Sequence, residues 1–463
     1  MKYFIKLANA QRKQLARPRP LLFLVVVGVM CSPWVALFLG DAYLRSQQAQ
    51  MDSQAALFFS ETPDLSTNAS AYQFDQLSAR LGLEPNASYQ PPVLIDKAAK
   101  QQYDAIAPIL TEFIDNQSNQ VSSPLAPIPP ELQRYLSQYK EELAQLERHI
   151  LVSPITLWAT DNEDVVNPNA VSPGFVNVRA VQKLLLLLAL QASQEGRPTD
   201  MVNTLEASWQ LNEAIALRSD LSSEVLVSVV SVWQAGLLRH LVPFADNTLL
   251  AQWQARLVYQ SHTAPVLSGI RYESWLQYRA TQQSWIPAIT PEKNAGISQK
   301  LRATLGNRFS FQTYYKLAAV ENTQTIHRAL DQLATLDVCA TTQFSAERIL
   351  SGIHMDSWND SSGFSPSVVA KRWKTAANRA LAMELSQHVL SVKHTAQTLN
   401  TWPDTMPSLP SQVCPGESWL YARNNDGTIS LELSKQLITL GPVPLRYRST
   451  SIASLPNKQM HKP

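Results

Sequence analysis

Cysteine, glycine and charge are all scarce: three Cys and 14 Gly in 463 residues, with only 16% of positions charged. Each shortage excludes something. Three Cys with no C-x-x-C pair are too few for a thiolate metal site. The chain also has no Gly-rich phosphate loop, no G-x-S-x-G and no H-E-x-x-H, so no nucleotide cradle, nucleophile elbow or zinc-protease helix is legible. Neither a cofactor nor a metal is expected. Lys and Arg form no stripe with interleaved aromatics, which argues against nucleic-acid binding. Leu and Ala dominate instead, with abundant Gln, Ser, Thr and Asn, a composition that favours helices in a soluble body.

Charge is wholly absent from residues 21–40, LLFLVVVGVMCSPWVALFLG. Twenty helical residues rise about 30 Å, enough to cross the hydrocarbon core of a bilayer. Ahead of this run stand Lys2, Lys6, Arg12, Lys13, Arg17 and Arg19, with no acid among the first twenty residues. That asymmetry predicts a signal anchor with residues 1–20 cytoplasmic and everything after about 41 outside. A cleaved signal peptide fits less well, because the basic leader and the apolar run are long and no A-x-A site follows. Residues 1–10 suit either a short amphipathic segment on the inner face or a basic tail. With the six leader cations set aside, 33 of the 39 basic residues remain against 37 acidic ones, a balance near −4 for the external part. The apparent basicity of the chain belongs to its anchor.

The predicted fold class is mainly α: a transmembrane helix, an extracytoplasmic multi-helix body of α-solenoid or bundle type, and a small C-terminal β-hairpin or sheet. Residues 41–130 read as a stalk and a Pro/Ser-rich linker, 131–400 as the helical domain, and 401–463 as the β tail. Leu132, Tyr135, Leu136, Tyr139, Leu143, Leu146 and Ile150 step along one face, predicting a single amphipathic helix over 131–151. The run LLLLLAL in 176–194 predicts a helix buried nearly all round. Thr199 or Asp200 is the expected cap of the next helix, Asp220 or Ser222 of the one after, and Asn247 opens a fourth. A long helix is expected from Val368 to about Leu399. Asp426-Gly427 between two alternating runs signals a hairpin. Cys339 and Cys414 both lie outside the anchor, where the environment is oxidising. They read as a disulfide stapling the last helical region to the tail, with two free thiols as the alternative.

In the tail, Trp402-Pro403, Leu409, Cys414-Pro415-Gly416, Trp419, Tyr421 and Asp426-Gly427 form a pattern similar to that of many uncharacterised bacterial exported proteins. It also resembles the C-terminal sheet of type II secretion pseudopilins. About sixty residues carry this resemblance. The chain departs from pseudopilins in lacking a prepilin cleavage motif and in placing a large helical body between anchor and tail, and the resemblance implies no functional residue. It does imply a bacterial inner membrane with the bulk of the chain periplasmic.

Candidate chemistry is sparse. Ser137 and Lys140 form an S-x-x-K without the S-D-N and K-T-G that accompany it in penicillin-binding enzymes. His327 with Asp331, and Glu384 with His388, are i,i+4 pairs, of a spacing usual for helix-surface contacts. The acidic run 161–164 lacks calcium-loop spacing. Lys371, Arg372, Lys374 and Arg379 form a basic cluster that reads as a solvated face. Arg271, Trp275, Tyr278, Arg279 and Trp285 form an aromatic stripe with adjacent cations. Such a stripe suits stacking on a sugar ring or gripping a peptide, while filling gaps between helices is the plainer reading. The expected partners are membrane lipid through residues 21–40 and an envelope protein or glycan. The expected role is a scaffold or binding module. The alternative is an envelope hydrolase acting on cell-wall polymer, whose acids converge from distant helices.

Overall fold

The computed structural model describes residues 39, 42–62, 65–122, 124–159, 175–241, 253, 256, 257, 263–283, 311–355, 365–399, 401–435 and 445–449. The expected membrane segment 21–40 lies outside the described residues except for Leu39, as do the basic leader, the acidic run 161–164, Trp285 and most of the helix expected from Asn247. The described residues form twelve helices and one four-stranded antiparallel sheet. They divide into two compact units: Met1–Glu61, Gln277–Gln324 and Asn359–Ser362 in the smaller, and Thr62–Leu276, Thr325–Trp358 and Gly363–Pro463 in the larger.

In the smaller unit, helix α1 spans 42–61 and buries Leu44, Met51 and Ala55, one stripe at helical spacing. The expected stalk is therefore a helix with a covered face. Its Asp52 Oδ1 accepts a 2.8 Å hydrogen bond from Tyr278 Oη. Gln324 Nε2 donates to Gln47 Oε1 at 3.1 Å.

The larger unit begins with α2 (Ala69–Arg80), α3 (Lys97–Ser118), α4 (Pro130–Gln138), α5 (Lys140–Val152), α6 (Val176–Gln194), α7 (Pro198–Ala216) and α8 (Leu221–Leu241). The single amphipathic helix expected at 131–151 is two, α4 and α5, because the backbone tightens at Tyr139 (φ −106°, ψ 26°). Its apolar face continues unbroken across the joint: Leu132, Tyr135, Leu136, Tyr139, Leu143, Leu146 and Ile150 are all buried. That continuity is why periodicity alone gave one helix. α6 is enclosed as expected, with Leu184, Leu185, Leu186 and Leu187 at most 1% exposed. α7 starts with Pro198 at its first turn and has no side-chain cap, so the fixed proline φ replaces the Thr199 or Asp200 cap. Asp220 does cap α8, its Oδ1 accepting from Ser223 N at 2.9 Å.

α8 is the one described helix long and apolar enough to cross a membrane, and 61% of that stretch is buried in the protein. It packs on α3, α6 and α7 as a core helix. Its crossing with α3 is close enough that a Cβ on Gly236 would lie 2.2 Å from Ser118 O. Phe74, Leu81 and Leu110 share one core with α4 to α8. Much of the region expected as linker is therefore part of this core.

Four further helices complete the fold: α9 (Thr263–Gln283), α10 (Phe311–Thr335), α11 (Gln343–Met355) and α12 (Pro366–Leu399). α9 passes from the larger unit to the smaller after Leu276, and α10 returns at Thr325. α12 carries two apolar faces. Met383 and Leu390 join the core of α2 to α8. Leu381, Leu385, Val389, Val392 and Ala396, spaced by three and four, pack against the sheet.

The sheet runs β1 (Leu409–Pro410), β2 (Ser418–Arg423), β3 (Ile429–Leu433) and β4 (Arg446–Arg448) in that spatial order. Trp419 faces Leu433 and Arg423 faces Ile429 in the central pair, and Ile429, Leu431 and Leu433 point into the core shared with α12. The hairpin bends at 424–428, where Gly427 takes φ +77°, a value that favours glycine. Cys339 and Cys414 are bonded, with Cα atoms 5.4 Å apart.

Glu384 holds the sheet to α12 from inside. It is 1% exposed. Its Oε2 accepts from Ser411 Oγ at 2.6 Å and Trp419 Nε1 at 3.0 Å. Its Oε1 accepts from the amides of Gln412 and Val413. The Glu384–His388 pair is thus no surface pair: His388 stands against the Trp419 ring at 6.1 Å. The basic cluster is likewise divided. Lys371 and Arg372 are exposed, whereas Lys374 is buried and donates to the carbonyls of Val338 and Thr341.

Candidate functional site

A concave site opens between α2 and α3. Gly82 makes that turn with φ +80°, and a Cβ there would strike Lys100 N at 2.2 Å. α3 starts on Asp96, whose Oδ1 accepts from Ala98 N and Ala99 N at 2.9 and 3.0 Å. The intervening segment is held by a buried carboxylate. Asp75 accepts from Asn86 Nδ2 and Tyr89 Oη, both at 2.6 Å, and from Trp158 Nε1 at 3.3 Å. Burial raises its pKa, and those hydrogen bonds work against the rise. The loop after α2 and the distant Trp158 are thereby fixed to one carboxylate.

Above this hub lies an open cleft of about 780 Å³. Tyr89, Val93, Tyr103 and Val176 supply its apolar surface, and Glu84, Lys100, Asp104 and Asn177 its polar groups. Lys100 Nζ pairs with Glu84 Oε1 at 3.1 Å and with Asp104 Oδ2 at 3.9 Å. Asn177 Nδ2 donates to Glu84 O. At this edge of the molecule Leu94 and Val176 are 85% and 76% exposed. Apolar surface with a few placed polar groups in a preformed hollow is the usual build of a ligand site.

A second groove of about 750 Å³ runs between α4–α5 and α6–α7 and includes Ser137, Lys140, Glu147, Arg148 and Asp200. The S-x-x-K pair therefore reaches a groove, but Ser137 Oγ donates to Gln133 O of its own helix at 2.8 Å. Burial raises the pKa of Glu147, opposed by its 3.2 Å hydrogen bond from Thr204.

The chain matches no protein-family model, no curated protein and no solved structure. Function has to be read from the geometry.

The aromatic stripe divides between the units. Trp275 and Tyr278 are buried, 3% and 1% exposed. Tyr278 is the donor to Asp52, and the Arg279 guanidinium lies 3.7 Å above the Phe59 ring, both within the smaller unit. Arg271 and Trp275 belong to the larger unit, where they meet the His327–Asp331 pair. Arg271 Nη2 pairs with Asp331 Oδ1 at 2.6 Å, and the Trp275 and His327 rings are 4.7 Å apart.

Sequence reasoning missed the third member there, Ser274, whose Oγ lies 2.9 Å from His327 Nε2. This is a nucleophile-to-base distance. However, Ser274 is 3% exposed, and its hydroxyl donates to Arg271 O at 2.7 Å. The proton that a base would remove is already committed to the backbone. Burial, then the Arg271 charge, depresses the His327 pKa to about 4. Asp75 was missed as well, because nothing in the local pattern marks an acid in mid-helix as inward-facing, and so was Asn86 in the loop after α2.

Proposed function

We propose that the protein is a single-pass envelope protein, anchored by residues 21–40 with residues 1–20 inside the cell. In this reading its extracytoplasmic helical body is a binding module for an envelope protein or glycan. The cleft over Asp75 carries the reading: it is preformed by a buried hub, open to solvent, and mixed in character like a ligand seat. The Cys339–Cys414 bond supports an oxidising compartment, and the basic leader before an uncharged run supports the orientation.

Photo-crosslinking in intact cells tests it, with a benzophenone amino acid placed at Leu94 or Val176 and, as a control, at exposed Leu420 on β2. A discrete adduct from Val176 in the cleft and from Leu94 beside it, and none from Leu420, is expected. Adducts at all three, or at none, would overturn the binding reading. Deleting 21–40 should release the chain from the membrane fraction, and continued sedimentation with membranes would refute the anchor.

The hydrolase reading has one observation in its favour, the approach of Ser274 to His327 beside Trp275. A fluorophosphonate probe decides it. Labelling lost in Ser274→Ala supports an enzyme, and no labelling of the native chain removes that reading.

A further inference from the structure

The groove between α4–α5 and α6–α7 is lined by charges that the fold leaves unpaired. Lys140, Ala144 and Arg148 recur every four residues along α5 and all line the groove, so they form one stripe on the helix. The small Ala144 keeps the space between the two cations open. Lys140 and Arg148 are exposed, and neither makes a hydrogen bond or ion pair among the described residues. The third cation of the groove, Arg197, is already matched: it pairs with Glu195 at 2.7 Å and with Asp200.

Glu147 is the opposite case. It stands in the next stripe of α5, between Leu143 and Leu151, and is half-buried. Its Oε2 accepts from Thr204 Oγ1 at 3.2 Å, but that hydroxyl lies closer to Asp200 O, at 2.9 Å. A hydroxyl has one proton to give, so the carboxylate holds only a share of it. Glu147 makes no ion pair among the described residues. Burial raises its pKa, and the Asp200 charge adds more to the rise than the Arg197 charge removes.

The rest of the groove is apolar: Leu136, Leu143, Leu151 and Leu188 line it. Its volume of about 750 Å³ falls among small-ligand pockets, which span roughly 300–1,000 Å³. The unpaired charges narrow the class of occupant. A fatty acid would satisfy the two cations but bury Glu147 more deeply without a partner, which is costly. A polyamine would satisfy Glu147 but face Lys140 and Arg148. A ligand with both charges on an apolar body meets neither penalty.

We propose that this groove holds a short acidic peptide, with carboxylates on Lys140 and Arg148, an ammonium on Glu147 and an apolar side chain against the leucines. The Arg148 fork can take a carboxylate through two parallel hydrogen bonds. Two cations and one carboxylate on the protein balance two carboxylates and one ammonium on the peptide. No residue lines both this groove and the cleft over Asp75, so the proposal stands or falls without the cleft.

Isothermal titration of the full chain in non-ionic detergent with leucyl-glutamate is the test. Saturable binding is expected. The double variant Lys140→Gln/Arg148→Gln should weaken it at least about tenfold, while its urea midpoint stays unchanged because both side chains are exposed. N-acetyl-leucyl-glutamate, which lacks the ammonium, and leucyl-glutamine amide, which lacks the carboxylates, should each bind less tightly. Glu147→Gln should erase the preference for the free ammonium over its acetylated form, a readout that a merely structural glutamate would not move. If Glu147→Gln does not fold, the acetylated peptide on the native chain decides. No saturable binding of leucyl-glutamate, binding undiminished in the double variant, or equal binding of the acetylated peptide overturns the proposal. Tighter binding of octanoate than of the peptide also overturns it and identifies a fatty-acid groove instead.

Discussion

Glu384→Gln tests the attachment of the sheet to α12 most sharply. The native carboxylate is fully enclosed and accepts from four donors: Ser411 Oγ, Trp419 Nε1 and the Gln412 and Val413 amides. A carboxylate only accepts, whereas the Gln amide keeps one acceptor oxygen and turns the other into a donor. Two outcomes are available. If the NH₂ faces the Gln412 and Val413 amides, both backbone donors are stranded. If it faces Ser411, that hydroxyl can rotate to accept, but Trp419 Nε1 loses its partner. A buried donor left unsatisfied costs roughly 1–3 kcal/mol, and hydrogen bonds to a charge are worth more than those to an amide. Side-chain volume hardly changes, so no cavity cost is added. The expected loss is about 3 kcal/mol, read as a lower urea midpoint at unchanged slope with the disulfide intact. Amide exchange at Gln412 and Val413 should accelerate about a hundredfold, at roughly 1.4 kcal/mol per factor of ten. A folded variant within about 0.5 kcal/mol of the native protein would refute the latch.

Gly236→Ala should destabilise by at least about 1–3 kcal/mol by overpacking, because the new methyl meets Ser118 O of α3; an unchanged urea midpoint would refute the close crossing. The Cys339–Cys414 bond closes a separation of 75 residues, which chain entropy values at about 4.5 kcal/mol. The double Ser variant should unfold correspondingly more easily, and two reactive thiols in the oxidised native chain would refute the bond. Acid should also destabilise the fold. Burial depresses His327 to about 4 and His240 to about 3, and lowers His149 and His388 as well. The unfolded chain then takes up these protons first, so the stability is present above about pH 6.5 and is lost as pH falls toward 4. Asp75, with a raised pKa, works in the opposite direction. His327→Gln should flatten part of the slope of urea midpoint against pH, and an unchanged slope would refute burial of the neutral ring.

The helices were legible because their signals are local. The leucine run of α6 and the hairpin around Asp426-Gly427 are each written within about twenty consecutive residues. The α4–α5 joint was not legible, since its backbone change leaves the apolar face continuous. Nor did the pattern show that the β tail is a layer on α12, because six of the fourteen buried residues of that core lie on the helix, whose spacing does not say what covers it. Among the site residues, Trp275 and Tyr278 were found as aromatics at helical spacing, but spacing does not say which way a face points, and both are enclosed.

By itself the sequence determined the helical class, the uncharged run over residues 21–40 and the two cysteines after it that pair. Each of these follows from composition or from contacts within a few turns. Tertiary structure alone decided that Asp75 gathers Asn86, Tyr89 and Trp158, that Glu384 latches the sheet, and that Arg179 and Lys183 both lie over the Trp233 ring. Those groups come from helices, loops and a strand whose local patterns do not say which way a side chain points. Only the packing of segments as far apart as Asp75 and Trp158 removes the solvent and leaves hydrogen bonds to set what each group does.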